Sequence, residues 1–334
     1  RRNAAVLLYL FGASPAVCSC FVAGRDHELQ PMGANTMGLP HATSLRMGRL
    51  GYQSDAQAQL AVSYNSLESY AASLEEALTK PYPAYEAVGI QNPGGDYNQL
   101  ATTLLQIENE FYGTIRPKRV IRPGERPLHA LRERGVEYVE VRLMDLDPFE
   151  PIGLNADTAR FLDLFLLHCL LEDSPPDSPD EIAAVKNNQH LTAARGREPG
   201  LLLQRLGQPV TLADWAADIV GQLEPVAAAM DAQDGGRAYA DALAAARAAL
   251  AAPHTLPSAR VLSAMRAEHA DSFSAFVSAR SLDTRARLLA LPYSAELKAR
   301  FDQLAAASVA EQKRIEASDQ VPFEDYRREY TSPE

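Results

Sequence analysis

The sequence is that of a folded globular protein of ordinary composition, because its 334 residues are 46% hydrophobic and 22% charged and a chain of this length builds about two domains. Its formal net charge of -11 at pH 7 argues against non-specific nucleic-acid binding, which needs a basic surface to neutralise phosphates. The longest apolar run, residues 161–171, includes Asp163 and His168 and is too short to span a bilayer, so it predicts a buried helix and no membrane partner.

The three cysteines, Cys18, Cys20 and Cys169, are an odd number without the spacing of metal ligands. We therefore expect buried or half-buried free thiols in a reducing cytoplasm rather than a disulfide framework. The chain begins at Arg1 without a methionine, and its first letters, RRNAAVLLYLF, lack the order of a signal peptide. We interpret this start as a point within a helix of a longer protein.

Gly and Pro punctuate the first third of the chain, which contains one clear helical pattern. Asn65 and Glu68 have the spacing of a capping box. An apolar stripe that includes Leu67, Tyr70 and Leu74 follows them. The pattern predicts an amphipathic helix that begins after Asn65.

Two later segments alternate polar and apolar side chains, as strands with one polar face do. The first covers residues 104–120 and the second covers residues 136–142. In the second, Tyr138, Glu140 and Arg142 fall on the same face. We predict that these strands line a concave sheet and that a loop with a short helical turn separates them.

The composition shifts to Ala, Leu and charged residues after Pro151. We predict an α+β protein with a sheet-containing part at 1–156 and a mainly helical part at 157–334. The polar end from residue 322 is the one segment with the character of a disordered tail. Helical periodicity predicts helices at 157–172, 180–195, 211–231, 236–251, 257–267 and 294–317.

Glu140 and Arg142 lie two residues apart, close enough to touch one ligand. A carboxylate suits Mg²⁺ and a guanidinium holds phosphate oxygens, so the pair fits an enzyme that handles a metal nucleotide. The alternative is an ion pair on a solvated sheet face. Near Tyr112, a cationic cluster of Arg116, Lys118 and Arg119 suits phosphates or carboxylates. The alternative is a solvated basic turn. The seven histidines lack zinc-site spacing.

Five segments, in one order along the chain, closely resemble the glutamate–cysteine ligases of proteobacteria. The resemblance covers nearly the whole chain and is most specific over residues 8–165. The segments are YLFGASPAVC, LPHATSLRMGRLGY, LLQIENEFYGTIRPKR, VEYVEVRLMDLDPFEPIG and RFLDLF.

The resemblance implies a fold related to glutamine synthetase, in which a curved antiparallel sheet carries the active site on its concave face. It also implies that ATP, L-glutamate and L-cysteine are converted to γ-glutamylcysteine, ADP and phosphate with Mg²⁺, in the first step of glutathione synthesis. Because a carboxylate acylates poorly, the reaction passes through γ-glutamyl phosphate.

On the nucleotide side, the resemblance assigns four residues. Glu140 matches the family's Mg²⁺-ligand glutamate, and Arg142 matches the arginine that contacts nucleotide phosphate near the transferred group. These two are the expected catalytic residues. Arg116 and Lys118 match further contacts to the nucleotide.

On the substrate side, Arg46 matches the arginine that binds the substrate carboxylate. Tyr52 and Tyr112 match tyrosines that line the cysteine pocket. His41 stands where we expect an aromatic residue such as Tyr, so we expect different packing near Arg46.

The family's N-terminal segment, which supplies most of the acidic Mg²⁺ ligands, is not found in this sequence. We therefore expect the 334-residue chain alone to bind Mg-ATP weakly, since one glutamate does not hold the metals of ATP chemistry. Two alternatives stay open at this point. One is a γ-glutamyl ligase with another amine acceptor, and the other is an inactive fragment that serves as a scaffold.

Overall fold

The computed structural model describes residues 1–51, 55–58 and 60–332. Fourteen α-helices are found there: Ala4–Phe11 (α1), Asp55–Ala58 (α2), Leu67–Thr79 (α3), Pro83–Val88 (α4), Pro127–Arg134 (α5), Ala156–Leu171 (α6), Pro179–Arg195 (α7), Leu212–Gln222 (α8), Glu224–Asp234 (α9), Ala238–Ala251 (α10), Pro257–Glu268 (α11), Phe273–Leu289 (α12), Ala295–Ser318 (α13) and Phe323–Thr331 (α14). Seven strands accompany them: Ala16–Cys18 (β1), Gln30–Gly33 (β2), Thr36–Gly38 (β3), Ile115–Lys118 (β4), Tyr138–Val141 (β5), Leu202–Arg205 (β6) and Gln208–Thr211 (β7).

The strands of the described residues form three separate antiparallel sheets, ordered β1-β3-β2, β4-β5 and β6-β7. The predicted α+β class is therefore confirmed, with the antiparallel pairing divided among short sheets. The predicted strand at 136–142 is present as β5. The predicted strand at 104–120 is wrong except for β4, because residues 108–110 form a 3₁₀ turn.

The main hydrophobic core surrounds α1, which is buried from Ala4 to Leu10 and apolar all round, as a central helix must be. It packs against α8, where Trp215 is fully buried, and Phe161 of α6 joins the same core. The indole Nε1–H of Trp215 donates to Asn3 Oδ1 at 3.3 Å, so the buried ring keeps a polar partner. Residues from both sides of position 156 thus share one core, and the domain boundary stays a prediction.

A second core joins α3, α5 and the segment before β4. Tyr70 and Leu74 of α3 pack there with Leu105 and Leu131. The predicted capping box is shifted by one residue, because Ser66 rather than Asn65 is the N-cap and its Oγ accepts from the N–H of Ser69.

The helical half is confirmed in outline and corrected in detail. The predicted helix at 211–231 is two helices, since α8 ends at Gln222 and α9 begins at Glu224, with a proline in its first turn. The helix α12 was not among the predicted ranges. The polar end is not a tail over 323–331, because it forms α14.

Docking of α14 explains why this polar segment is ordered. Arg327 of α14 is 8% exposed and donates from Nη1 to the carbonyl of Leu100 at 2.7 Å. Tyr97 Oη donates to Glu324 at 2.9 Å. In the described part of the chain, none of the helices has the length and apolar character needed to cross a membrane.

Candidate active site

The pairing of β4 with β5 sets the position of Glu140 and Arg142. Arg116 lies opposite Glu140 and Ile115 lies opposite Val141 in the antiparallel register. The N–H of Arg142 donates to the carbonyl of Thr114 at 2.9 Å, which extends the pairing past the end of β5. Glu140 and Arg142 therefore lie on one face of a fixed two-stranded ribbon.

The Glu140 carboxylate lies between two cations. Its Oε2 is 3.6 Å from Lys118 Nζ, and both of its oxygens are 3.4 Å from Arg142 Nη1. These distances exceed the 2.7–2.9 Å range, about the length of a strong charge-assisted hydrogen bond. The carboxylate side chain is also 37% exposed, so its oxygens are accessible to a further cation.

Arg46 is held by a different set of partners. It lies in a 3₁₀ turn, Leu45–Met47, that Ser44 caps. Its Nε donates to Asp145 Oδ1 at 2.7 Å, and its Nη2 donates to the carbonyl of Met144 at 2.8 Å. The side chain is 29% exposed, so the guanidinium has a fixed orientation and still reaches solvent.

Asp145 orients Arg46, and sequence reasoning missed it. Its side chain is 4% exposed. Oδ2 accepts the N–H of Ala13 and the hydroxyl of Ser14, both at 2.8 Å, while Oδ1 accepts from Arg46. A buried carboxylate with three donors is rigid, and it transmits that rigidity to the guanidinium.

A cleft of about 220 Å³ collects four of the predicted residues. Tyr112 is 41% exposed at this cleft, and its backbone N–H donates to Gln57 Oε1 at 3.2 Å. Tyr52 lies outside the described residues. The cleft is lined by Arg46, Met47, Tyr112, Gly113, Glu140, Val141 and Arg142.

Arg116 and Lys118 are not in this lining, as far as residues 1–51, 55–58 and 60–332 show. Arg116 is 5% exposed, and its Nη2 donates to the carbonyls of Asn109 and Phe111. Burial, together with the positive charge of Arg142, lowers the pKa of Arg116. The guanidinium thereby fixes the segment just before Tyr112, and a nucleotide contact for Arg116 or Lys118 stays a prediction.

A second cavity of about 100 Å³ adjoins the cleft, with Tyr112 in the wall of both. Leu60, Val62 and Ile182 make much of this cavity apolar. Lys186 also lines it, and burial lowers the pKa of that ammonium group. Sequence periodicity did not predict this cavity, because α7 contributes to it from far along the chain.

Glu125, His129 and Glu133 place possible ligand atoms within 4.8 Å of one another. Arg134 Nη1 is 2.6 Å from Glu125 and 2.7 Å from Glu133, however, so a guanidinium already neutralises both carboxylates. Arg134 lowers the pKa of Glu125 to about 2. The cluster is a surface ion-pair network at α5 and the residues just before it, and none of its three members lines the cleft.

Comparisons with known proteins converge on one family. A family model described as glutamate-cysteine ligase matches residues 1–192. The glutamate–cysteine ligase of Azotobacter vinelandii is 49% identical over 330 residues, which cover 99% of this chain and 62% of that protein. The corresponding ligase of Janthinobacterium is 47% identical over 330 residues, which cover 99% of this chain and 62% of that protein. The chain thus spans about 62% of the length of these curated relatives.

Solved structures agree with the sequence comparison. The glutamate–cysteine ligase of Francisella tularensis, in complex with AMP, superposes with a TM-score of 0.90 at 34% identity and covers 98% of this chain and 64% of that one. A bifunctional glutathione synthetase from Pasteurella multocida gives a TM-score of 0.58 at 21% identity, covers 86% of this chain and 31% of that one, and shows a shared fold.

Proposed function

The chain belongs to the glutamate–cysteine ligase family, and from that membership we propose that it acts in the ATP-dependent joining of L-glutamate, through its γ-carboxylate, to the amino group of L-cysteine. The products are γ-glutamylcysteine, ADP and phosphate. The observation that carries the proposal is the cleft in which Arg46, Tyr112, Glu140 and Arg142 meet. The AMP bound to the Francisella relative supports an adenine nucleotide as the phosphate donor.

The proposed reaction has two steps. The γ-carboxylate of glutamate first attacks the γ-phosphorus of ATP, which gives γ-glutamyl phosphate and ADP. The cysteine amine then attacks the acyl carbon and expels phosphate. The protein has to neutralise the charge on the transferred group and align three substrates, since little covalent chemistry is required of it.

We assign Arg142 to the oxygens of the transferred phosphoryl group and Arg46 to a carboxylate of glutamate. The Arg46 guanidinium is also bonded to the backbone at Arg142, because Arg46 Nη1 donates to the main-chain carbonyl of Arg142 at 3.3 Å. A fixed guanidinium loses little freedom when it binds a carboxylate, so Arg46 serves as a preorganised anchor. Arg116 and Lys118 are assigned to the nucleotide side.

Tyr112 and Tyr52 are assigned to the walls of the cysteine site. The apolar cavity beside Tyr112 has Leu60 and Val62 in its lining, which suits a small, weakly polar thiol side chain. Tyr112 lines both this cavity and the charged cleft. A substrate amine that enters from the cavity would thus face the acyl group held by Arg46.

Glu140 is the carboxylate that lines the cleft within the described part of the chain. Mg²⁺ takes oxygen ligands and is commonly held by one or two carboxylates together with nucleotide phosphates. The oxygens of Glu140 are accessible and lie 3.4–3.6 Å from Arg142 Nη1 and Lys118 Nζ, longer than strong ion-pair contacts, so they fit one such ligand. When bound, Mg²⁺ would neutralise phosphate charge during transfer.

A cytoplasmic location fits this function, because the reaction consumes ATP and needs a reduced cysteine substrate. The three cysteines of the chain are free thiols, as a reducing compartment would keep them. Cys20 is exposed, so the expectation that all three are at least half-buried was wrong for this residue.

ADP release tests the proposed function. The natural protein that contains this sequence is assayed with ATP and Mg²⁺, and glutamate and cysteine are omitted in turn. We expect ADP release that requires both amino acids and yields γ-glutamylcysteine. Equal rates with unrelated amines in place of cysteine would refute the assigned acceptor, and release without glutamate would refute the ligase.

A further inference from the structure

The C-x-C motif at residues 18–20 has no part in the proposed ligation, yet the structure brings its two sulfur atoms together. Cys20 Sγ lies 2.7 Å from Cys18 Sγ. Cys18 is half-buried and Cys20 is exposed. The two thiols are therefore in contact with each other and accessible to small molecules.

The backbone on either side fixes this contact. Cys18 ends β1, where it pairs with Thr36 of β3. The next residue starts a 3₁₀ turn, Ser19–Phe21, and the N–H of Ser19 donates to the carbonyl of Asn35 at 2.9 Å. The sharp change from strand to turn places the side chain of Cys20 back over Cys18.

The distance between the sulfur atoms distinguishes zinc binding from disulfide formation. Two thiolates on one tetrahedral zinc ion, each about 2.3 Å from the metal, lie about 3.8 Å apart. A disulfide bond is about 2.05 Å long. At 2.7 Å, the sulfur atoms are too close to share a zinc ion without movement and need only a small approach to bond to each other.

The two thiols are also chemically unequal. Cys20 donates its S–H to Cys18, and this hydrogen bond lowers the pKa of the Cys18 thiol. The same bond raises the pKa of Cys20. Cys18 thus has the thiolate character of an attacking sulfur, and Cys20 is placed as the second thiol that resolves the product of attack.

We propose that Cys18 and Cys20 form a redox-active dithiol, which low-molecular-weight disulfides of the glutathione type convert to an intramolecular disulfide. The Cys18 thiolate attacks one sulfur of the small disulfide, forms a mixed disulfide and expels one thiolate. Cys20, after losing its proton, attacks Cys18 Sγ and expels the second thiolate. The protein loses two protons and two electrons, and the small disulfide takes them up and is reduced to two thiols.

Thiol trapping and mass spectrometry test the proposal. The folded chain is equilibrated in mixtures of oxidised and reduced glutathione, quenched in acid and alkylated. We expect a species about 2 Da lighter than the reduced chain before alkylation, with a crosslink within one peptide. Cys169 should stay reduced and be found alkylated after the quench. It is partly buried, and burial raises the pKa of its thiol, which slows its reaction with disulfides.

Three serine variants separate the roles of the sulfurs. Cys20→Ser should accumulate a mixed disulfide on Cys18, while Cys18→Ser should react more slowly at Cys20. Cys169→Ser is the matched control and should oxidise like the parent. The folded chain should also oxidise at an oxidised-to-reduced glutathione ratio at least about tenfold lower than the same chain in denaturant, because folding holds the thiols in contact.

Several results would overturn the proposal. These are a stable mixed disulfide in the parent chain, equal oxidation of folded and unfolded chains, or stoichiometric zinc binding that both Cys18→Ser and Cys20→Ser abolish. The measurement follows thiols rather than ligation. It can therefore fail while the proposed ligase function stands, and the reverse also holds.

Discussion

Arg46 and Asp145 form an ion pair that joins the turn after β3 to the segment after β5, with Nε 2.7 Å from Oδ1. Removing the charge of Asp145 would weaken the hold on the guanidinium, which would keep its hydrogen bonds to the carbonyls of Met144 and Arg142. We predict that Asp145→Asn raises the KM for glutamate about ten- to a hundredfold, because the anchor loses its orientation. Steady-state kinetics with each substrate varied in turn checks this.

Two further variants distinguish a lost orientation of Arg46 from general misfolding. Ser14→Ala removes one hydrogen bond to Asp145 and should raise the same KM by a smaller factor. Asp283→Asn, in an exposed pair with Arg287, should leave it unchanged. Equal increases in the KM values for glutamate, cysteine and ATP would mean that Asp145 has only a general structural role.

Glu140 is the proposed ligand of the nucleotide-bound metal. We predict that Glu140→Gln lowers kcat by about 10²- to 10³-fold, because a charge that stabilises the transition state through the metal is lost. The circular dichroism spectrum and the thermal midpoint should barely change, because the side chain is accessible and lies outside the core. Glu137→Gln is the matched control, since Glu137 pairs with Arg119. Parent-like turnover of Glu140→Gln at saturating Mg²⁺ would remove Glu140 from the metal site.

Tyr112 is the proposed wall between the cleft and the apolar cavity. We predict that Tyr112→Ala raises the KM for cysteine more than the KM for ATP, since a pocket wall contributes binding rather than phosphate stabilisation. Tyr138→Ala, at an exposed ring on β5, provides the control. Equal changes in both KM values would exclude Tyr112 from the cysteine site.

His190, on α7, makes stability depend on pH. Burial, with the positive charges of Arg49 and Lys186, lowers its pKa to about 4. In the unfolded chain, His190 binds a proton near the ordinary histidine pKa of about 6.5. The neutral folded imidazole therefore contributes its full stabilisation above that pH, and this stabilisation is lost as the pH falls toward 4.

We therefore predict that the free energy of unfolding falls between about pH 6.5 and 4, with roughly 1–3 kcal/mol of the fall due to His190. Urea unfolding across this range checks the slope. His190→Asn should flatten it, whereas His254→Asn, at an exposed position, should not. An unchanged slope in His190→Asn would show that this half-buried imidazole does not control the transition.

The pattern of apolar and polar residues predicted the strand with Glu140 and most of the helices, because alternation and helical periodicity depend only on residues that are close in sequence. The same reasoning failed at residues 104–114. Glu108 is buried there against Arg126 at 3.1 Å, and Glu110 Oε2 accepts the N–H of Gln106 at 2.7 Å. These side-chain contacts satisfy a 3₁₀ turn that alternation alone does not reveal.

The role of Asp145 could not be predicted from the residues near it in sequence. It is 99 positions from Arg46 and 132 positions from Ala13, so its role arises only when distant segments meet. The structure brings together four of the residues that resemblance assigned. Arg46, Tyr112, Glu140 and Arg142 line one cleft, although their individual roles stay predictions.

Isotope transfer tests whether glutamate is activated as an acyl phosphate in this cleft. Glutamate labelled with ¹⁸O in its γ-carboxylate is incubated with ATP, Mg²⁺, cysteine and the natural protein that contains this sequence, and the released phosphate is analysed by mass spectrometry. We expect one ¹⁸O atom in phosphate for each γ-glutamylcysteine formed, and loss of both products in Arg142→Ala. Unlabelled phosphate accompanying γ-glutamylcysteine would contradict it.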